Sequence, residues 1–230
     1  MSHFRGALQK DQGIWEIRGE PRHFLYSKLM CWVGLDRAIQ MAGQIGAQDR
    51  VSRWAGIRDE IKSAILEQGW NDRVHAFTQS FGSDDLDASN LAIPIVGFLP
   101  PNDPRVISTI EATAKGLTDE HGLVYRYLAH DGLEGEEGTF LLCTFWFAQA
   151  QAMAGHVEQA KETFSRAIGF GNDLGLLAEE VDPKTRELLG NFPQAFSHVG
   201  LVNAAWAISE AERRVRELNV AERPSAPKSA

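Results

Sequence analysis

Cysteine is scarce in this 230-residue chain, where only Cys31 and Cys143 occur. Both fall inside apolar helical patterns, with no neighbouring Cys or His at metal-ligand spacing. A disulfide scaffold and a thiolate metal site are excluded, and two buried thiols are expected. No run of about 18 apolar residues is present, and residues 1–10 lack the apolar segment of a secretory signal. The sequence therefore offers no membrane span, and a cytoplasmic location is expected. Positive charge is in short supply as well: 23 Lys and Arg stand against 31 Asp and Glu, for a formal charge of −8. A surface that tracks phosphates, and with it a nucleic-acid partner, is not implied. There is no Gly-x-Ser-x-Gly elbow, phosphate loop, dinucleotide fingerprint or His-x-x-x-His pair, which sets aside serine-nucleophile, nucleotide and zinc-protease chemistry.

What remains is a globular composition, 43% hydrophobic and 23% charged, with its most unusual stretch near the start. Gly13-Ile-Trp-Glu-Ile-Arg-Gly19 sets the carboxylate of Glu16 between the indole of Trp15 and the guanidinium of Arg18. A carboxyl group against a Trp face is partly desolvated, which favours its neutral form and suits a proton donor. The alternative is an acid that caps or salt-bridges the next helix.

Apolar residues then recur at helical spacing. Residues 22–47 are apolar around most of the circumference and read as a buried helix; residues 49–68 are amphipathic and end at Gly69. A possible short strand at 74–78 leads to an apolar helix over 86–98. Asp103 as N-cap and Pro104 at the first helical position start an amphipathic helix to about 116. A short strand at 123–127 and a polar loop at 130–138 precede a nearly all-apolar helix over 139–154, followed by an amphipathic one over 156–168. A loop at 169–193 opens into the last helix, 195 to about 214. The pattern is all-α: inner helix, short turn, outer helix, long loop, repeating roughly every 55 residues. Successive helices run antiparallel, so the loops before the inner helices fall on one rim. That rim collects Trp15, Glu16, Arg18, Asp84, Asp85, Asp87, Arg126, Glu136, Glu137, Glu179 and Glu180.

Carboxylates converging from separate loops suit hydrolysis of an acetal, one acid protonating the leaving oxygen and the other activating water. Trp15, Tyr125 and Tyr127 offer flat faces for sugar rings, and Arg126 offers a fork of donors. Asp84, Asp85 and Asp87 precede a helix and read first as N-caps; an Asp-rich magnesium site lacks its second Asp-rich helix. Glu179 and Glu180 form either a coupled pair in a closed site or a solvated turn.

These blocks resemble glycoside hydrolase family 15, which includes glucoamylases, glucodextranases and trehalases. The resemblance rests on Gly13–Gly19 with Pro21-Arg-His-Phe24 and Ser27-Lys28, and on Leu86-Asp-Ala-Ser-Asn90 with Gly97-Phe-Leu-Pro-Pro101. It continues through Tyr125-Arg-Tyr127, Glu137-Gly-Thr-Phe140, Leu177-Ala-Glu-Glu-Val-Asp182 and Gly190-Asn-Phe-Pro-Gln-Ala-Phe-Ser-His198. It implies an (α/α)6 toroid of helix hairpins and an inverting hydrolysis of terminal α-glucosidic bonds, with no cofactor and no metal. The general acid is then Glu16 and the general base Glu179, with Glu180 as the alternative. Trp15, Arg18, Arg126 and Glu180 are expected to bind an α-glucosidic oligosaccharide or disaccharide. Tyr26 and Arg186 depart from the pattern, the latter at a turn where Gly is common. The large departure is length. About seven helices are legible, only part of a toroid. Residues 1–10 read as a leader remnant, 11–215 as an incomplete toroid domain and 216–230 as a flexible tail. A partner chain or homodimer is expected to cover the open flank. The alternative is a weakly active remnant, or a helical module that binds carbohydrate or protein.

Overall fold

The computed structural model describes residues 9–129 and 138–221. Loop residues His130, Asp131, Glu134, Glu136 and Glu137, most of the 1–10 segment, and 222–230 of the expected tail lie outside the described residues. Seven α-helices are present among those described: α1 (Leu25–Met41), α2 (Val51–Gln68), α3 (Ala92–Ile95), α4 (Pro104–Gly116), α5 (Leu141–Met153), α6 (Val157–Ile168) and α7 (Ala195–Ala221). None is long and apolar enough to cross a membrane.

The apolar α5 is the hub, because both of its faces are buried. Cys143, Phe147 and Ala150 join the core built by Leu25, Leu29 and Trp32 of α1 and by Ile61 and Ile65 of α2. Leu141, Phe145 and Ala148 turn to a second core with Ala167 of α6 and Ala204 of α7. A helix with no polar stripe has to be enclosed in this way. α4 begins as its sequence requires, with the Asp103 carboxylate accepting from Arg105 N and Pro104 at the first position. Gly69 caps α2, but through space rather than dihedral freedom: a Cβ there would lie 2.7 Å from both Ile65 O and Leu25 Cδ1, where α1 crosses.

Several expectations are corrected. The helix expected over 86–98 is a 3-10 turn at Ala88–Leu91 running into the four-residue α3. Pro94 has no N–H to extend the helical ladder, and Gly97, at φ 77°, reverses the chain. Residues 123–127 make single bridges to neighbouring loops rather than a strand. Five two-residue strands occur among the described residues: β1 (Trp70–Asn71), β2 (Ala76–Phe77), β3 (Thr139–Phe140), β4 (Glu180–Val181) and β5 (Leu188–Leu189). The hairpin β1–β2 lies inside the second long loop, and β3–β4–β5 form an antiparallel sheet. α7 runs to Ala221, past residue 214 where the last helix was expected to end. α1 is not buried all round: it leaves Met30, Cys31, Gly34, Arg37 and Met41 exposed on one side. Cys31 is thus an exposed thiol, while Cys143 is buried as expected.

Candidate active site

The loops preceding the inner helices are stitched together in order. Phe24, at the end of the first, bridges Ser80 in the second; Asp87 in the second bridges Tyr127 in the third. Phe140, closing the third loop, pairs with Glu180 in the fourth. Backbone hydrogen bonds therefore run continuously from the loop carrying Glu16 to the strand beside Glu179.

The first loop is pinned from below. Lys28 of α1 is 3% exposed, and its ammonium contacts the Gln9 carbonyl and the Asp11 carboxylate, the latter at 2.9 Å. Asp11 also accepts from Ser27 Oγ at 2.6 Å and Gly13 N at 2.8 Å. Burial works against the Asp11 charge, but the Ser27, Lys28 and Gly13 donors outweigh it and hold this carboxyl below its ordinary range. Gly13 sits at φ 71°, and a Cβ there would strike the Phe24 ring at 2.9 Å.

Glu16 itself is exposed and adopts φ 52°, a left-handed conformation that side chains other than glycine seldom take. Its expected desolvation by the neighbouring indole is not found, because Trp15 turns inward. The Trp15 Nε1–H donates to both Asp87 oxygens, at 3.0 and 3.1 Å. Its ring packs against Phe140 and Trp146, with centroids 5.6 and 6.4 Å apart. Tyr127 is also a core residue, 3% exposed, rather than an open sugar platform. Arg18 is exposed and has no ion pair among the described residues.

Arg126 joins the two ends of the rim. Its guanidinium lies 5.8 Å from the Trp15 ring, 5.9 Å from Tyr127 and 5.3 Å from Phe140. It reaches Glu180 at 3.4 Å. Glu180 is thereby committed to an ion pair. Glu179 is different: Oε2 accepts from the Asn191 backbone N and from Asn191 Nδ2, both at 2.9 Å. Its Oε1 meets no donor among the described residues.

Two glycines make room for these acids. A Cβ on Gly190 would lie 2.7 Å from Glu179 Oε2, and one on Gly138 would lie 2.8 Å from Glu180 Oε2. Arg186 sits at φ 64°, a conformation glycine takes more readily. The structure thus brings Trp15, Arg126 and Glu180 together, and leaves Glu16 and Arg18 exposed and Glu179 half-buried against Asn191. The three aspartates part company, Asp84 toward Asn71 and Arg73, Asp85 toward Arg22, and Asp87 inward. Cavities of about 580 and 500 Å³ open elsewhere, one beside His156 and Arg216 and one beside Tyr125 and Pro183.

Sequence reasoning passed over Asp11, Lys28, Asn191, Gly138 and Gly190 as individuals. Asn191 and Gly190 had a signal, since they follow each other inside a recognised block. Lys28 also lay in such a block, but its pairing with Asp11 had no signal, since a Lys in an apolar helix most often extends its charge to solvent.

The chain is similar to known proteins. The sequence profile described as Glycosyl hydrolases family 15 matches residues 7–206. The chain is 45% identical to a trehalase of Mycobacterium tuberculosis over 230 residues, covering 99% of this chain and 33% of that protein. It is 40% identical to a trehalase of Thermoplasma volcanium, covering 87% of this chain and 32% of that one. The chain thus spans about a third of the length of these relatives. Among solved structures, a wild-type glycosidase superposes with a TM-score of 0.74 at 21% identity, over 90% of this chain and 56% of that one. A bacterial glucoamylase complexed with acarbose gives a TM-score of 0.71 at 16% identity, over 86% and 34%. At such identities the likeness speaks for the fold, that of the α/α toroid.

Proposed function

The chain belongs to the glycosyl hydrolases of family 15, and on that premise we propose that it carries the acid and base of an inverting α-glucosidase whose substrate is trehalose. Glu16 protonates the glycosidic oxygen as the bond to the anomeric carbon breaks. Glu179, through the oxygen that Asn191 leaves open, takes a proton from the water that attacks the opposite face. The observation that supports this reading is the unbroken series of loop-to-loop pairings from the loop that carries Glu16 to the strand that follows Glu179, with the Arg126–Glu180 ion pair along it. Glu180, spent on Arg126, orients that guanidinium and is not the base. Arg126 and Trp15 form the floor against which a glucose ring rests, and Arg18 contributes from the edge. Trehalose is favoured over α-1,4- and α-1,6-glucans because the relatives matched at 40% identity or more include trehalases from several organisms.

The apolar stripe of α7 belongs to the same reading. Phe196 is 65% exposed, Val202 62% and Trp206 70%, and Val199 continues the row at helical spacing. An exposed row of this kind marks a contact surface. Its occupant is a further set of helix hairpins completing the toroid, and the relatives, about three times as long, have the chain length to supply them.

The test is glucose release from trehalose, maltose, soluble starch and dextran by the chain, beside Glu16→Gln and Glu179→Gln. Each substitution is expected to lower turnover by about 10²- to 10⁴-fold, the usual worth of a positioned acid or base. Inversion at one centre of α,α-trehalose should yield α- and β-glucose in equal amounts before mutarotation, read by proton NMR. Equal background rates in all three proteins would reject the assignment. Adding the N-terminal two-thirds of a related trehalase as a separate polypeptide should give a complex by size exclusion. Trp206→Asp should abolish that complex, and its persistence would reject α7 as the contact.

A further inference from the structure

We infer that Asp87 is a positioning residue for the proton donor, acting through the indole of Trp15. The inference rests on the reading of Glu16 as the acid. Asp87 is 4% exposed, and its two oxygens meet four hydrogen bonds: the bifurcated Trp15 Nε1–H, Gln79 Nε2 at 3.1 Å and Ser89 N at 2.8 Å. The Ser89 bond is the N-cap that the sequence leads one to expect. The Trp15 bond, made across 72 residues, is not needed for capping and has a different consequence.

Glu16 follows Trp15 directly and sits in the left-handed region at φ 52°. A residue so placed persists only where its neighbours over-determine it. On its C-terminal side Ile17 N donates to Gln12 O at 3.1 Å, and Gln12 Nε2 donates to Gly19 O at 3.1 Å. On its N-terminal side the anchor is Trp15, wedged between Phe140 and Trp146 by ring packing. Ring packing alone lets an indole slide in its plane; the Asp87 carboxylate fixes the position of the N–H edge. An ionised carboxylate accepts every one of these donors, whereas a protonated one would set its own O–H against them. Burial pushes the Asp87 carboxyl up, against the pull of the Ser89, Trp15 and Gln79 donors. Cys143, Arg126 and Glu180 are the other titratable or charged groups in this neighbourhood, since the buried Cys143 thiol responds to the charges of Asp87, Arg126 and Glu180.

The test is a double-mutant cycle in the full chain. Asp87→Asn keeps the shape and replaces one acceptor oxygen by a donor amide; Trp15→Phe removes the indole N–H and leaves the Ser89 cap intact. Each is expected to lower kcat on trehalose by about 10- to 100-fold, Asp87→Asn with KM changed less than about 3-fold, and the double variant should be no slower than the slower single. Additive losses, or a fall in Tm with kcat unchanged, would show that Asp87 serves the fold alone. An independent measurement follows the Trp15 indole N–H cross-peak, identified by its disappearance in Trp15→Phe. In Asp87→Asn it should shift and lose protection from solvent exchange, and an unmoved peak overturns the inference. If the unsubstituted chain hydrolyses no faster than Glu16→Gln, the proposed function fails, and the cross-peak still decides whether Asp87 holds Trp15.

Discussion

Replacing Lys28 by Met removes the charge that α1 sends into the base of the Glu16 loop. The methionine keeps most of the aliphatic stem, so the loss is electrostatic: the Asp11 carboxylate keeps Ser27 Oγ and Gly13 N but loses its counter-charge. Breaking a fully buried pair by deleting one member costs about 3–5 kcal/mol. Lys28 is nearly inaccessible, but the Asp11 side chain is 33% exposed, and solvent reaching it moderates the penalty. About 2 kcal/mol is therefore expected, equivalent to a fall in Tm of about 4–8 °C for a chain of this size. Urea unfolding of the wild type, Lys28→Met, Asp11→Asn and the double variant should give a coupling of at least about 1 kcal/mol. Limited proteolysis should cut within 12–20 in Lys28→Met before any cut inside α1. The pH dependence has a definite sign. The Asp11 carboxyl is held below its usual value of 3.8 in the fold, so the stability it contributes is present above that unfolded value and is lost as pH falls through the folded one. The gap between wild type and Lys28→Met should be constant above about pH 5 and shrink below about pH 4. A loss smaller than about 0.5 kcal/mol, the range of ordinary surface substitutions, or a gap indifferent to acid would refute the claim that this pair pins the loop.

Gly190→Ala should disturb Glu179 without replacing either glutamate. Its Cβ would meet Glu179 Oε2 at 2.7 Å, and φ 72° is strained for alanine. About 1–2 kcal/mol of stability and at least a 10-fold loss of turnover are expected, checked by melting and trehalose hydrolysis; unchanged turnover would mean that the Glu179 orientation does not matter. The cysteines should separate cleanly on alkylation at alkaline pH: the exposed Cys31 reacts in the folded chain, and Cys143 reacts only on unfolding. Burial pushes both thiols up, Cys143 far more, and equal rates in native buffer would contradict the packing around α5.

The long amphipathic or apolar helices were legible because 12 to 27 residues at one period leave little choice of structure. Asp103 with Pro104 marked the start of α4 for an equally local reason: cap and first turn are adjacent in sequence. The sheet β3–β4–β5 was not legible, since two-residue strands carry no alternation. β5 folds back on β4 within one loop, while Thr139 and Phe140 of β3 reach β4 from the far side of α5 and α6. The stretch over 86–98 misled for the opposite reason. Its apolar residues are buried from every side, so composition stayed helix-like while Pro94 and Gly97 broke the helix.

The site divides along the same line. Sequence alone determined which residue types the rim carries, that Glu16 adjoins an indole between two glycines, and that the loops before inner helices share one end of an antiparallel array. Tertiary structure decided which way each side chain faces: Trp15 inward to Asp87, Glu180 onto Arg126, Glu179 onto Asn191, Lys28 beneath Asp11. Hydrogen-bonding geometry over ångströms selects among groups separated by tens of residues. No periodicity in a linear chain encodes which distant donor will be within reach when the loops close.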